Sequence, residues 1–269
     1  YEAQEKILGI QRNSYSKTDP DATFMRMKED HMLNGQLKPA YNLQISTNNQ
    51  FIASYSLHQN TTDTNTLTDH IGQHIKEYKV KPSAITADAG YGSEENYQWL
   101  EKKGITAYVK HNQFDRNQSE TIRQKNPYSS DKLLYDEQKD QFRCPSGKSM
   151  RNVGSYTKKT TTGFEQTIDV YQTTRCGQCP LQAACNPGKD SRKIQINHNL
   201  RRLKQQADKR LTSKRGIEKR KRRCYDTEPV FANIKHNHHF KRFMLRGIKK
   251  VNVETGLLAL AHNLRKKTA

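Results

Sequence analysis

The sequence predicts an α/β fold, in which helices flank a mixed sheet and a cysteine-bearing insert interrupts the chain. Residues 41–110 alternate short apolar runs of strand periodicity with segments of helical periodicity. Residues 112–198 lose this alternation, are rich in polar residues and contain four of the five cysteines. Helical periodicity returns from residue 199. We therefore expect one domain from residues 1–111 and 199–269, and an insert at 112–198.

The first elements of the domain are expected to be a hairpin and a helix. Residues 41–46 alternate apolar and polar side chains, which is typical of a half-buried strand, and residues 51–57 form a second strand. The Asn-Asn pair between them favours a turn. Residues 64–78 then carry apolar side chains at helical spacing, and Pro82 ends that helix.

Asp88 is the first candidate for a functional residue. It follows a short apolar strand at residues 84–87 and precedes Gly90, and Ser93 is then a good N-cap for a helix that runs to Lys103. Ligands bind beyond the carboxyl ends of strands in α/β sheets, and a carboxylate held there suits a metal ion. An ordinary Asp in a strand-to-helix turn is the alternative.

Glu228 is the second candidate, because Pro229 requires that a helix begin close to it. Over the expected helix at 228–246, Lys235 and Arg242 follow at steps of seven residues, so the three charged side chains would share one face. Carboxylates from distant parts of a chain can hold two Mg²⁺ ions for phosphoryl transfer, while the basic side chains contact flanking phosphates. Helix capping and solvated charge are the alternative.

The charge distribution indicates a polyanionic partner. The formal net charge is +20, and residues 201–250 hold 18 Lys/Arg against four Asp/Glu. Residues 199–223 are expected to form a strongly basic helical segment. A soluble basic protein without such a partner is the alternative. No run of 18 apolar residues occurs, which argues against a transmembrane helix.

The cysteines favour a reducing, cytosolic compartment, because their number is odd and four of them cluster. The cluster, with the spacing C-x31-C-x2-C-x5-C, consists of Cys144, Cys176, Cys179 and Cys185. A CxxC pair with two further cysteines predicts a tetrahedral structural Zn²⁺ site, which would also stabilise an insert that has few apolar residues. Unligated thiols are the alternative, since the second spacing is not that of a standard pair.

Two other groups are not expected to carry chemistry. An apolar stripe on the helix expected at 253–265 is predicted to pack in the core, and its members are Leu257, Leu260, Ala261 and Leu264. His236, His238 and His239 would point to different faces of a helix, so we do not expect them to form a metal site.

Two blocks of the sequence resemble bacterial insertion-sequence transposases with a DDE domain, in the group that has a cysteine-bearing insert. ITADAGYGS at residues 85–93 is similar to the block around the family's second catalytic Asp. EPVFANIK at residues 228–235, followed by FKRF and RG, is similar to the block around the catalytic Glu. The resemblance implies an RNase H-like fold and DNA strand cleavage and transfer that depend on Mg²⁺ or Mn²⁺. It also implies that Asp88 and Glu228 bind the metal.

The same resemblance implies the partners of the chain. Lys235, Arg242, Arg246 and Arg223 are expected to contact DNA, which comprises the insertion-sequence ends and the target. The implied protein works as an oligomer on DNA in the bacterial cytoplasm, at the nucleoid and away from membranes. Arg223 takes the place of a family Arg, whereas Arg220 stands where the family often has Tyr.

The block around the family's first catalytic Asp has no counterpart in this sequence. We therefore expect that residue upstream of Tyr1, and we expect this chain alone to be nearly inactive. Asp19 and Asp21 qualify by residue type only. A DNA transposase is the leading hypothesis. The alternatives are a non-catalytic DNA-binding protein that zinc stabilises, and an inactive transposase remnant. Only the leading hypothesis predicts that, in a chain restored upstream, Asp88→Ala abolishes metal-dependent cleavage and leaves DNA affinity nearly unchanged or higher.

Overall fold

The computed structural model describes residues 2–9, 12–27, 34–125 and 127–268. By contacts, the chain divides into two compact units: residues 1–111 with 207–269, and residues 112–206. In chain order, the helices and strands are α1 (Glu2–Leu8), β1 (Thr23–Arg26), β2 (Leu37–Ala40), β3 (Asn42–Asn48), β4 (Phe51–His58), α2 (Leu67–Tyr78), β5 (Ala84–Ala87), α3 (Glu94–Lys102), β6 (Thr106–Val109), α4 (Phe114–Gln118), α5 (Glu120–Gln124), β7 (Leu134–Asp136), β8 (Gln141–Arg143), β9 (Ser149–Lys159), β10 (Glu165–Thr173), α6 (Gln182–Cys185), β11 (Arg192–Ile196), α7 (His198–Thr212), α8 (Lys214–Asp226), α9 (Glu228–Ala232) and α10 (Ile248–Thr268). The predicted mixed α/β class is confirmed.

The predicted hairpin is present as β3 and β4, which pair antiparallel with Asn42 opposite His58. Its turn lies one residue later than predicted, at Asn49 and Gln50, which have φ values of 54° and 65°. Asn adopts this left-handed conformation more readily than most residues, which favours the turn at this position. On β4 the buried side chains alternate, as expected for a strand with one face against a core.

The segment that carries Asp88 is a parallel βαβ unit made of β5, α3 and β6. Ala84 pairs with Thr106 and Ala87 with Val109. The predicted N-cap is confirmed, because the Ser93 side chain accepts a hydrogen bond from the Asn96 N–H at 3.2 Å. These contacts hold the carboxyl end of β5 in a fixed position.

One mixed sheet was expected across residues 41–110, and this detail is wrong for the part of the chain that the structure describes. The β3–β4 hairpin and the β5–β6 pair are separate two-stranded sheets, and β1–β2 is a third. No backbone ladder joins them. Side chains link the first two pairs instead, since Tyr91 donates a hydrogen bond to Gln44.

One apolar cluster of the first unit lies between β4, α9 and α10. Its buried members are Ile52, Val230, Ile234 and Ala259. Asn263 of α10 bonds both to the Ile52 N–H at 2.8 Å and to the Ile52 carbonyl at 2.9 Å, so it satisfies the free backbone edge of β4. None of the helices in the described ranges is long and apolar enough to span a membrane.

The basic segment at 199–223 is helical as expected, and it forms two helices, because Ser213 interrupts it and caps α8 by accepting from the Gly216 N–H. Two other expectations about the C-terminal helices are wrong. The helix expected at 228–246 ends early: α9 passes into a wide π turn at Asn233–Asn237, and His239 has a φ of 53°. The apolar stripe of α10 faces outward, with Leu257, Leu260 and Leu264 exposed by 64%, 56% and 55%.

The second unit contains a five-stranded antiparallel sheet in the order β11-β10-β9-β8-β7. One face carries an apolar cluster, whose buried members are Leu133, Phe142, Cys144, Met150, Tyr171, Ile194 and Ile196. The unit therefore has a small core of its own, formed by alternate residues of short strands.

Candidate functional site

Asp88 lies directly after β5, where its side chain caps a short 3₁₀ turn at Ala89–Tyr91. One carboxylate oxygen, Oδ1, accepts a hydrogen bond from the Gly90 N–H at 3.1 Å. The side chain is 45% exposed. The other oxygen, Oδ2, takes no part in this turn and accepts from a cationic side chain of α8.

Glu228 is the first residue of α9, and its side chain is 62% exposed. The helix is held by burial of Val230, and its start is tied to β3 by a hydrogen bond of 3.0 Å between the Thr227 and Thr47 hydroxyls. Pro229 fits here because the first turn of a helix needs no N–H donor. Glu228 therefore projects from a fixed helix start.

Arg223 of α8 contacts both carboxylates. Its Nη2 donates to Asp88 Oδ2 at 3.1 Å, and its Nη1 lies 3.9 Å from Glu228 Oε1. The two acidic residues, which are far apart in the sequence, therefore meet at one guanidinium. The Arg223 side chain is 28% exposed, so this ion pair is only partly screened by water.

Asp63 also lies beside Gly90, close to Asp88, and it was not among the candidates predicted from the sequence. Its Oδ1 accepts hydrogen bonds from Asn42 Nδ2 at 3.0 Å and from Gln44 Nε2 at 3.1 Å. A Cβ built on Gly90 would lie 3.4 Å from Asp63 Oδ2 and 3.2 Å from Asp88 Oδ1. In the sequence, Asp63 stands among Thr and Asn residues that resemble an ordinary turn, and only its position a few residues after a strand could have drawn attention to it.

Asp19 and Asp21 have other partners. Asp19 accepts from the Tyr41 hydroxyl at 2.8 Å and from the Gly247 N–H at 3.2 Å, and Asp21 accepts from the Ile248 N–H at 2.9 Å. Burial, together with the hydrogen bond to Asp19, raises the pKa of Tyr41. The two carboxylates thus bind the N-terminal end of α10, where the helix dipole favours negative charge.

Three of the four basic residues predicted to contact DNA are exposed, and the fourth, Arg223, is half-buried. Lys235 lies in the π turn, and Arg242 and Arg246 lie in the irregular segment before α10; all three are exposed. Because α9 ends before Arg242, the predicted single helical face of Glu228, Lys235 and Arg242 is not present. Arg223 is turned towards the carboxylates in this structure.

The four clustered cysteines line one recess in the second unit, of about 330 Å³ including open solvent. All are free thiols; Cys144 and Cys176 are buried, and Cys185 Sγ accepts from Arg192 Nη1 at 2.9 Å. The pKa of the Cys179 thiol is lowered, mainly by a backbone hydrogen bond from Leu181. A hydrogen bond from the Ser146 side chain and the positive charge of Lys148 lower it further.

As the thiols stand, however, no group of three or more His, Cys, Asp or Glu side chains in the described part of the chain is arranged to hold a metal ion. His236, His238 and His239 were not expected to form such a group. Cys224 is exposed and separate from the recess.

Comparison with known proteins gives one match. Residues 143–268 match a family model described as a transposase DDE domain. The matched segment contains Glu228, the four clustered cysteines and all four basic residues expected at DNA, and Asp88 lies outside it. No curated protein and no solved structure matches the chain. Over these residues, the chain is therefore similar to the DDE domain of transposases.

Proposed function

We propose that this chain catalyses DNA strand cleavage and strand transfer, and that Asp88 and Glu228 of an RNase H-like domain bind Mg²⁺ or Mn²⁺ for this reaction. The observation that carries the proposal is the convergence of the two carboxylates at Arg223, at 3.1 Å and 3.9 Å. The family match supports the reaction class, because it includes Glu228 and the basic residues after it. The resemblance of residues 85–93 to the family's second acidic block supports Asp88.

The donor set fits a hard divalent cation. Carboxylate oxygens are the ligands that Mg²⁺ takes in proteins, and both side chains are accessible from solvent. Gly90 leaves open the space beside Asp88, which a Cβ would fill. A bound pair of Mg²⁺ ions supplies activation of the attacking oxygen and stabilisation of the leaving 3′ oxygen. Because Arg223 contacts both carboxylates, the guanidinium has to move when a cation binds.

The basic residues of the chain have the role of holding DNA. Lys235, Arg242 and Arg246 are exposed beyond Glu228, where they would contact phosphates of the insertion-sequence ends or of the target. Arg223, once displaced from Asp88, would join them. We further propose that the protein acts as an oligomer on DNA, in the bacterial cytoplasm at the nucleoid.

The test is a cleavage assay with Mg²⁺, the full-length product of the reading frame and a supercoiled plasmid that carries the DNA flanking that frame on both sides. Asp88→Asn and Glu228→Gln are expected to reduce cleavage to background, because each removes a metal-binding charge. Asp69→Asn is the matched control, since Asp69 is exposed on α2 and forms no ion pair with Arg223, which contacts both Asp88 and Glu228. Equal cleavage above background by Asp88→Asn and the unmodified protein would refute the proposal.

A second candidate is a DNA-binding protein without catalytic activity, and the Arg223 contacts favour it, because a guanidinium already neutralises the two carboxylates. An inactive transposase remnant would behave in the same way. In both cases the unmodified chain would bind DNA without cutting it. Under the leading proposal, Asp88→Asn abolishes cleavage while DNA affinity stays the same or rises, because a negative charge near the phosphates is lost.

We also propose that the recess lined by Cys144, Cys176, Cys179 and Cys185 binds a structural Zn²⁺. Thiolates are the preferred zinc ligands, and the lowered pKa of Cys179 favours the form that coordinates metal. Metal analysis of the purified chain is expected to give one zinc per chain, and Cys176→Ser is expected to lower it. Cys224→Ser is the control, because its thiol is outside the recess. Protein that is fully folded without zinc would contradict the assignment.

A further inference from the structure

We propose that the outward side of the five-stranded sheet in the second unit binds the phosphates of duplex DNA. The inference rests on the proposed function for the identity of its partner, and it assigns DNA contacts to residues that no comparison assigns. We call this side of the sheet the outer face. Its cations are Arg143, Arg151, Lys158 and Lys193.

The pleat of the sheet separates an apolar side from the outer face. The residues that point into the apolar cluster are Phe142, Met150, Tyr171 and Ile194, one from each of β8, β9, β10 and β11. Because successive residues of a strand point to opposite faces, the residue next to each of these points outward. Three such neighbours are Arg143, Arg151 and Lys193, and all three are exposed.

Strand pairing places two of these cations in one row across the sheet. Arg151 of β9 pairs with Gln172 of β10, and Gln172 pairs with Lys193 of β11. Neighbouring strands lie about 4.8 Å apart, so the Cα atoms of Arg151 and Lys193 are separated by about 10 Å. Because β9 is the central strand of the sheet, the row has one cation at its centre and another two strands away, with an uncharged amide between them.

β9 and β10 continue beyond the rest of the sheet as a two-stranded ribbon. The pairing of β8 with β9 ends at Arg151, and the pairing of β11 with β10 ends at Asp169. Residues 156–159 and 165–168 therefore have only each other as strand partners. β9 is exposed from Arg151 to Lys159. An isolated two-stranded ribbon is marginally stable in water, so a partner on one of its faces would stabilise it.

The outer face extends along this ribbon. Pairing with β11 keeps β10 regular through Tyr171, so Ile168 and Gln166, at odd steps before Tyr171, point outward. Their partners on β9 are Tyr156 and Lys158, which lie on the same face. Tyr156 is 42% exposed, and Lys158 is exposed as well. The ribbon therefore adds an aromatic ring and a cation to the outer face.

The carboxylates of the same strands do not neutralise these cations. Asp169 and Glu165 of β10 lie at even steps from Tyr171 and point to the other side, where Glu165 pairs with Lys159 at 3.1 Å. Asp136 points outward from β7, but it lies at the edge of the sheet and accepts from the Lys139 N–H at 3.2 Å. Positive charge therefore predominates on the outer face, whereas the opposite side of the ribbon is balanced.

This composition fits a phosphate backbone better than a protein surface. Protein–protein interfaces are depleted of charged residues at their centres, whereas Arg151 lies on the central strand of the outer face. Arg and Lys are the usual partners of phosphate, and Tyr and Gln side chains also bond to phosphate and sugar oxygens. The outer face presents all four of these residue types, so duplex DNA is the partner that it fits.

The test compares two adjacent lysines on opposite faces of the ribbon. Lys158→Ala removes a cation from the outer face, and Lys159→Ala, the matched control, removes one from the other side. We expect Lys158→Ala and Arg151→Ala each to make the slope of log K against log salt shallower by about 0.9, because each loses a phosphate contact. Lys159→Ala should leave the slope unchanged. Fluorescence anisotropy of the protein with a labelled duplex measures these slopes.

The outcomes separate this inference from the proposed function. Unchanged slopes in Lys158→Ala and Arg151→Ala would overturn the inference and leave the proposed function standing, because cleavage is assigned to Asp88 and Glu228. An equal change in all three variants would also overturn it, since the effect would be one of net charge. If the unmodified protein does not bind the duplex, both proposals are overturned.

A protein partner is a further outcome that would overturn the inference. In that case Lys158→Ala and Arg151→Ala would change the molar mass of the protein in light scattering and leave the slope as it is. Thermal melting of each variant checks that the fold is retained, and we expect no shift because all three substituted side chains are exposed.

Discussion

Arg223 contacts both of the carboxylates that we propose as metal ligands. Its guanidinium offsets the charge of Asp88 and Glu228, so it stabilises the metal-free site and competes with any cation that approaches. The sequence made Arg223 a candidate for DNA contact but could not indicate this competition. The contact depends on α8 passing beside β5, and that packing is not encoded in any local motif.

We expect Arg223→Gln to raise the affinity for Mn²⁺ about threefold to tenfold, because the competing charge is lost while the shape of the side chain is largely kept. Titration calorimetry with Mn²⁺ measures the effect. Arg222→Gln is the matched control, since Arg222 pairs with Asp226 at 4.0 Å and not with the site. A fall in affinity would mean that Arg223 organises the carboxylates for the metal.

His70 is a buried residue with a structural role in the first unit. Its two ring nitrogens lie 2.7 Å from the hydroxyls of Ser46 and Ser56, so it joins β3, β4 and α2. Burial, and then the neighbouring His58 and His74, lower its pKa from 6.5 to about 4. No local motif indicates this role, because a histidine on a helix is more often solvated than buried.

The stability of the fold is therefore expected to fall in mild acid. Between pH 6.5 and pH 4 the unfolded chain binds a proton at His70 that the folded chain does not, so stability drops by about 1.4 kcal/mol per pH unit as the pH falls through this range. Urea unfolding at pH 7 and pH 5 measures the drop. His70→Gln should lose this pH-dependent part, whereas His236→Gln, at an exposed residue, should keep it. Equal pH dependence in all three proteins would contradict the assignment.

At the scale of elements, local patterns predicted most of the helices and strands of the first unit but not their faces. The hairpin, the βαβ unit and the Ser93 cap follow from periodicity and turn residues over short stretches. The buried face of α10 does not follow from its sequence pattern. The leucine stripe is the more apolar side of the helix, but the buried residues are Val251, Thr255, Ala259 and His262. Asn263, which bonds to Ile52, fixes that choice through a partner strand far away in the sequence.

Substitutions on the two sides of α10 are expected to differ in cost. Val251→Ala should lower the free energy of unfolding by about 1.5–3 kcal/mol, because Val251 is fully buried and its removal leaves a cavity. Leu260→Ala should change it by less than about 0.5 kcal/mol, because that side chain is 56% exposed. Chemical unfolding of both variants gives the comparison. The reverse order would show that the leucine stripe is the buried side in solution.

At the scale of the whole molecule, amino-acid composition indicates a polyanionic partner, but it does not locate a functional site. The formal net charge of +20 and the positive charge of residues 201–250 are sums over many residues, so they can be read without knowledge of the packing. Asp63 is the contrary case, since its nearness to Asp88 arises only when β3 and β5 are brought together. The sequence therefore indicates Asp88 and Glu228 as candidates and DNA as a partner, but it does not indicate that Asp63 and Asp88 both lie beside Gly90.

The net charge predicts DNA binding that depends strongly on salt. If six to ten phosphates are contacted, the binding constant should fall by about 10³–10⁵ between 50 and 200 mM salt, because bound counterions are released from the DNA. Arg242→Ala should make the slope of log K against log salt shallower by about 0.9, since one phosphate contact is lost. Lys102→Ala, at an exposed residue of α3, should leave the slope unchanged. Fluorescence anisotropy with a labelled duplex measures all three slopes.

Two outcomes would contradict this prediction. A slope near zero for the unmodified chain would mean that its positive charge does not serve to bind DNA. An equal change of slope in Arg242→Ala and Lys102→Ala would mean that Arg242 acts through the net charge and not through a phosphate contact.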